Sequence, residues 1–223
     1  MRFHVLIFAS AKALSIALVF LAMSRGITES QGVIYSSPSQ PINYSAGLLD
    51  SQTYIDVNGD GVPDFSVIST SGFTASIAPL GGNSIAAIPE PPPDLGFFVA
   101  AFNQGETIGS SLTPIMQWYN NQTDQFGSAA IGAQALFGQQ LVVLGYFAEK
   151  SSAYVGFDLV VNGNNYYGWM QLSNPLPLVN GQVLDWAYES SPNTAIAAGA
   201  VPEPSTLALL ALSGVVAGIL RRK

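Results

Sequence analysis

The chain has no cysteine, and its one histidine is His4. It is also poor in cations. Of the seven basic residues, Arg2, Lys12, Arg25, Arg221, Arg222 and Lys223 sit toward the two ends, and Lys150 stands alone between residues 27 and 200. Each absence removes a class of chemistry. Without cysteine, the chain makes no disulfides. With neither His nor Cys in residues 27–200, Ser-His-Asp and Cys-His nucleophile systems are excluded there, as are most zinc sites. Thirteen acidic residues against Lys150 give that stretch a formal net charge of −12, compared with −7 for the whole chain. Such a body repels nucleic acid and anionic lipid and attracts divalent cations. Carboxylate-pair hydrolysis stays open, but no pair is marked by spacing, and scattered acids describe a solvated surface. The scarcity of Lys and Glu also argues against long helices, whose exposed faces need such residues.

What is present starts at the N-terminus. Arg2, His4 and Lys12 precede an uncharged run from Ala13 to Met23, and the small residues Ala22, Ser24 and Gly26 follow. This is the layout of a Sec-type signal peptide, cleaved between Ala22 and Ser30, with Ser24 or Gly26 the preferred last residue. An uncleaved signal anchor is the alternative. The chain divides on this reading into a signal peptide (1–26), a body (27–200) and a tail (201–223).

The tail reads Val201-Pro202-Glu203-Pro204-Ser205, an apolar run from Thr206 to Leu220, then Arg221-Arg222-Lys223. The apolar run, if helical, reaches roughly 22 Å, short of the ~30 Å hydrocarbon core. Local bilayer thinning, or snorkelling of Arg221, Arg222 and Lys223, makes up the difference. Those three cations form a membrane stop held on the cytoplasmic side, which leaves the body outside. A buried amphipathic helix is the competing reading, weakened by the lack of a polar face. The order of polar signal, apolar segment and basic end resembles the PEP-CTERM sorting tail of Gram-negative bacteria. The resemblance implies processing by an exosortase at Pro202, Glu203 and Pro204, after transit through the Sec export machinery. A second Pro-Glu-Pro, at Pro89, Glu90 and Pro91, is followed by no apolar segment and reads as a loop.

The body, about 174 residues, suits one domain. Short runs of Val, Ile, Tyr and Phe alternate with Gly, Asn and Pro clusters, which predicts an all-β fold, a single β-sandwich or jelly-roll-like domain. Strands are expected over Thr53–Val57, Asp64–Thr70, Phe73–Ala78, Leu95–Phe102, Gln140–Ala148, Ala153–Val161, Tyr166–Leu172 and Val183–Tyr188. Asn162-Gly163-Asn164-Asn165 predicts the turn of a hairpin between the sixth and seventh of these. Large apolar groups on both faces of that pair predict a central place in the sheet. Ala129–Phe137 fits a short helix or an Ala-rich strand. Ile88–Asp94, with its prolines, reads as an exposed polyproline-like connection. The stretch from Tyr154 to Gly199 resembles a body recurrent in PEP-CTERM proteins, which implies β architecture and no activity.

One segment has the spacing of a ligand set: Asp56-Val57-Asn58-Gly59-Asp60-Gly61-Val62-Pro63-Asp64. Oxygen side chains recur at positions one, three, five and nine, with Gly at six. The spacing allows Asp56, Asn58, Asp60, the Val62 carbonyl and Asp64 to surround one hard cation, Ca2+ above all. It resembles the calcium loops of EF-hands, dockerins and FG-GAP-type repeats. Val67 stands where an EF-hand has its bidentate Glu, and the flanks look like strands, so a structural β-flanked site is expected. A metal-free Asp/Asn/Gly turn is the alternative. The aromatics Tyr167, Trp169 and Trp186 are read either as core or as a platform for stacking on sugar rings.

Together these features predict an exported protein. It is anchored transiently in the membrane through its tail and then released to the cell surface or extracellular matrix. The sorting-tail family is associated with exopolysaccharide loci, so the expected role is structural, with exopolysaccharide as a partner and no catalytic activity. A carbohydrate-binding module using exposed aromatics is the alternative. A carboxylate-based glycosidase ranks below both, and nucleic acid is not an expected partner.

Overall fold

The computed structural model describes residues 32–202 apart from 46–49, 71–73, 91–95, 124–125, 138, 149 and 174–179. The expected signal peptide and the tail from Glu203 onward lie outside the described residues. The described chain is all β and contains no helix, so none is present that is long and apolar enough to cross a membrane. Fifteen strands follow one another: β1 (Val33–Ser36), β2 (Ile42–Ser45), β3 (Ser51–Ile55), β4 (Phe65–Thr70), β5 (Thr74–Pro79), β6 (Ser84–Pro89), β7 (Phe97–Val99) and β8 (Thr107–Ile108), then β9 (Gln117–Tyr119), β10 (Ala129–Phe137), β11 (Gln140–Leu144), β12 (Ser152–Val161), β13 (Asn164–Ser173), β14 (Asn180–Glu189) and β15 (Ile196–Ala197).

Thirteen of them join one curled sheet in the order β1-β14-β13-β12-β6-β7-β10-β5-β4-β3, with β11 on β10, β2 on β14 and β9 on β6. Its two halves face each other as the layers of a sandwich. Phe65 of β4 meets Phe157 of β12 with ring centroids 5.3 Å apart, and Trp186 of β14 donates its indole N–H to the Val57 carbonyl beyond β3 at 3.1 Å. The inner core between the halves gathers Ile55, Phe65, Val67 and Ile77 from one side and Phe157, Leu159, Met170 and Leu172 from the other.

The β12–β13 hairpin is central, flanked by β6 and β14. Its turn is two residues, Asn162 (φ 52°) and Gly163 (φ 76°), rather than the four expected. Asn164 and Asn165 belong to β13 and pair with Val161 and Val160. Two successive positive φ values are the twist-matched solution for a right-handed hairpin, and Asn-Gly is the pair that tolerates them. Gly168 is required for a different reason. A Cβ there would lie 2.2 Å from the Phe157 ring and 2.5 Å from the Ala187 carbonyl.

A second apolar core lies on the opposite face of the same strands. Ile88, Tyr167, Trp169 and Ala187 are covered there by Phe102, Ile108 and Leu112 from the segment between β7 and β9, by Trp118 of β9, and by Ile196 and Ala198 near the end of the body. This explains why β13 carries large apolar groups on both faces.

Of the two alternatives for Ala129–Phe137 the strand is found, β10, paired with β5 and β11. Two expectations are corrected. Ile88 is not in an exposed polyproline connection. It is buried, and with Pro89 it ends β6, a strand absent from the expected set. The run expected through Ala148 stops at Leu144, because Gly145 turns with φ 114°.

Candidate functional site

The acidic loop leaves β3 at Ile55 and returns at β4. Its polar atoms close on one another. Asp56 accepts from the backbone N–H of Gly59 (2.7 Å) and of Gly61 (2.8 Å). Asn58 Oδ1 accepts from Asp60 N–H at 2.9 Å, and Asp60 Oδ1 from Val62 N–H at 2.8 Å. The Asn58 amide donates to Asp60 Oδ2 at 3.2 Å. Gly59 (φ 76°) and Gly61 (φ 86°) take the left-handed conformation that lets successive amides turn inward. Asp60 and Val62 are exposed, and Asp56 and Asn58 half-buried.

Asp64 behaves differently. It is buried, and its carboxylate accepts from Val57 N–H (2.8 Å) and from the Asn83 amide (3.2 Å). Asn83 in turn accepts from Val160 N–H at 2.8 Å, tying the loop to β12. Desolvation raises the Asp64 pKa, and the bonds from Val57 and Asn83 oppose the rise. Asp64 therefore serves the fold, whereas half-buried Asp56 and Asn58 and exposed Asp60 form the outer part of the loop. Among the described residues, no three Asp, Glu, His or Cys side chains come together as a metal-holding group.

The three aromatics considered as a sugar platform are buried: Tyr167 is 4%, Trp169 1% and Trp186 6% exposed. They cannot stack on a saccharide from solvent. Tyr167 stacks on Trp118 (5.7 Å, 23°). Trp169 sits edge-on to Tyr154 at 5.2 Å and beside Tyr35 at 6.2 Å. Trp186 spans the inner core to Val57.

Half-exposed rings appear on the other face. Tyr166 and Tyr188, on adjacent strands, stand edge-to-face with centroids 6.4 Å apart. With Ile34, Ser190 and the loop residues Asn58 and Asp60 they line an open cavity of about 370 Å³. Alternation along β13 puts Tyr166 on the inner-core face and Tyr167 on the other, but how far each ring is covered depends on non-local packing. A larger open cavity, about 470 Å³, lies against Gly145, Tyr146 and Lys150. The Lys150 ammonium donates to Asn103 Oδ1 at 2.9 Å.

Two further carboxylates, buried Asp158 and half-buried Asp185, serve structural partners. Asp158 accepts from the Asn165 amide at 2.6 Å and Asp185 from the Tyr35 hydroxyl at 2.9 Å. In each, Oδ1 is buried without a hydrogen-bond partner. Desolvation raises both pKa values, opposed by those bonds.

At the C-terminal end, Trp169 Nε1 donates to the Ala200 carbonyl at 3.1 Å. Val201 is then 54% exposed and Pro202 is exposed. Glu203, Pro204, Arg221, Arg222 and Lys223 lie outside the described residues. The docking at Trp169 was not visible in the sequence. Its one local sign is Gly199, which takes φ 77°.

Comparison with protein families matches residues 200–223 to the PEP-CTERM protein-sorting motif. Comparisons with curated proteins and with solved structures find no match.

Proposed function

On the premise that this chain carries a PEP-CTERM sorting motif at residues 200–223, we propose that it is an exported structural protein. An exosortase processes it at Pro202–Pro204 and releases it to the cell surface or matrix, where it associates with exopolysaccharide. The motif is the observation that carries the reading. The body supports it in two ways. Its sandwich closes with the chain emerging into solvent at Val201, at the start of the matched motif. Between residues 27 and 200 it has no His or Cys for nucleophilic catalysis, and the reading includes no catalytic step.

The experiment is the intact mass of the protein from its native host, cell fraction by cell fraction. Loss of both ends, with a C-terminus between Pro202 and Ser205, supports the reading. A membrane-bound form that keeps Lys223 makes the tail a permanent anchor and ends it.

A second reading, a carbohydrate-binding module, is favoured by the cavity beside Tyr166 and Tyr188. Half-exposed rings next to an amide, a hydroxyl and a carboxylate are the groups that stack on and hydrogen-bond to sugars. With a formal charge of −12, the body suits neutral rather than anionic glycans. In either reading we assign the acidic loop to structural calcium. Asp56, Asn58, Asp60 and the Val62 carbonyl supply oxygen, and Asp64 stays in the fold. The supporting observation is three oxygen-bearing side chains gathered on one short, solvent-facing loop.

A further inference from the structure

The chain leaves the fold at a clasp. β15 pairs with β8, Ile196 opposite Ile108 and Ala197 opposite Thr107. Beyond it, Ala198 N–H donates to the Glu106 carbonyl (2.8 Å), and the Ala198 carbonyl accepts from Gly105 N–H (2.9 Å). Ile196 and Ala198 are buried in the outer core. Gly199, at φ 77°, passes under Tyr154, where a Cβ would sit 2.8 Å from the hydroxyl oxygen. The last fixed point is the Ala200 carbonyl, held by the Trp169 indole at 3.1 Å. Trp169 is fully buried between Tyr35 and Tyr154, so its N–H has one fixed direction. The same end carries the body's one cation, because Lys150 bonds to Asn103, whose side chain in turn donates to Glu106.

Only Val201 separates the clasp from Pro202. At about 3.3–3.6 Å per extended residue, Pro202 stays within roughly 7 Å of Ala200, and the apolar run at Thr206 begins within roughly 21 Å. The processing site is thus tethered closely to a rigid body and does not hang on a long free stalk.

We propose that Trp169 is a positioning residue for removal of the tail. Through Ala200 it fixes where and in which direction the chain leaves the body at Val201, one residue before the Pro-Glu-Pro site on which the exosortase acts. It touches no reacting atom. Holding a reacting segment in place lowers the ordering that must accompany the reaction. The inference rests on the sorting reading above.

The test follows conversion of the full-length chain in its native host by pulse-chase and intact mass. Trp169→Phe keeps a ring between Tyr35 and Tyr154 and removes the N–H. Conversion is expected to slow roughly 3- to 10-fold, the scale of one net hydrogen bond. Inserting Gly-Ser-Gly-Ser between Val201 and Pro202 leaves every contact of the fold intact and is expected to slow conversion similarly. Adding Trp169→Phe to the insertion is then expected to have no further effect, because the two changes remove the same constraint. Equal rates for wild type and Trp169→Phe overturn the positioning role and leave the sorting reading standing. So does slowing by Trp169→Phe without slowing by the insertion, which marks a folding defect. A wild-type chain that keeps Lys223 in every fraction overturns both.

Discussion

The acidic loop joins β3 to β4 in the large sheet, whereas the C-terminal strap pairs through β15 with β8 in a separate two-stranded sheet, and the two short segments are held in different ways. The outer part of the loop is held by the side chains of Asp56, Asn58 and Asp60, whose bonds join residues no more than five apart, and only its base, at Val57, is tied to Asp64 and Trp186. The strap is held by Gly105 and Glu106 and by Trp169, which lies 31 residues away. Opening the exposed part of the loop uncovers solvated polar groups. Opening the strap uncovers Ile196, Ala198 and Trp169, members of the outer core. Apolar burial scales with the area covered, whereas exposed polar bonds exchange with water at little net cost. The strap should therefore be the more consequential of the two for stability, although it is the less conspicuous in sequence.

The largest expected effect comes from Trp169→Ala. Removing a fully buried indole should cost about 3–5 kcal/mol in urea unfolding. Asp60→Ala without calcium should cost under about 1 kcal/mol, and comparable losses from the two would erase the contrast. Gly199→Ala comes next. It combines a disfavoured positive φ with a clash against Tyr154 and should cost about 1–3 kcal/mol. Limited proteolysis near residue 196 should rise with it, while cleavage in the acidic loop stays unchanged. Calcium should move the loop alone. At tenfold excess over its dissociation constant it adds about 1.4 kcal/mol, a few degrees in the melting temperature, and Asp60→Ala should abolish the shift. A melting curve unchanged by millimolar calcium would identify the loop as a plain turn.

The smallest effect separates buried carboxylates from exposed ones. Burial raises the Asp158 pKa, so its stabilising contribution is fully present below the ordinary aspartate value. That contribution is lost as pH rises through the raised folded value. Asp158→Asn should stabilise the protein at pH 7 by less than about 1 kcal/mol, keeping an oxygen for Asn165. The gain should shrink as pH falls toward about 4, read by urea melts across that range. Asp64 and Asp185 are shifted in the same direction. A gain that grows on acidification would mean that the charged carboxylate is favoured where it lies.

What could be read from the sequence was local. Alternation and the Asn162-Gly163 pair placed the central hairpin, since period-two patterning and turn chemistry act within a few residues. The glycines of the acidic loop marked a tight turn for the same reason. Strands β1, β2, β6, β8, β9 and β15 were missed because they are short or are defined by their partners. Ser84–Pro89 became a strand through pairing with β7, β9 and β12, while its proline-rich continuation pointed to a connection. The aromatics misled for a related reason. Tyr166 and Tyr167 are equivalent until the two cores on the two faces of β13 are seen to bury Tyr167 fully and Tyr166 only in part. The sorting motif was fully legible, since its signal lies in residue order rather than in tertiary contact.

The lone Lys150 also bears on how the body meets proteases. Proteases of the trypsin type need a Lys or Arg beside the bond they cut, and between Gly26 and Arg221 they find one such residue. That residue is already hydrogen-bonded to Asn103. A body made this way offers such enzymes a single cut in either its folded or its unfolded form, so its durability against them is a matter of composition and would survive even the loss of its fold.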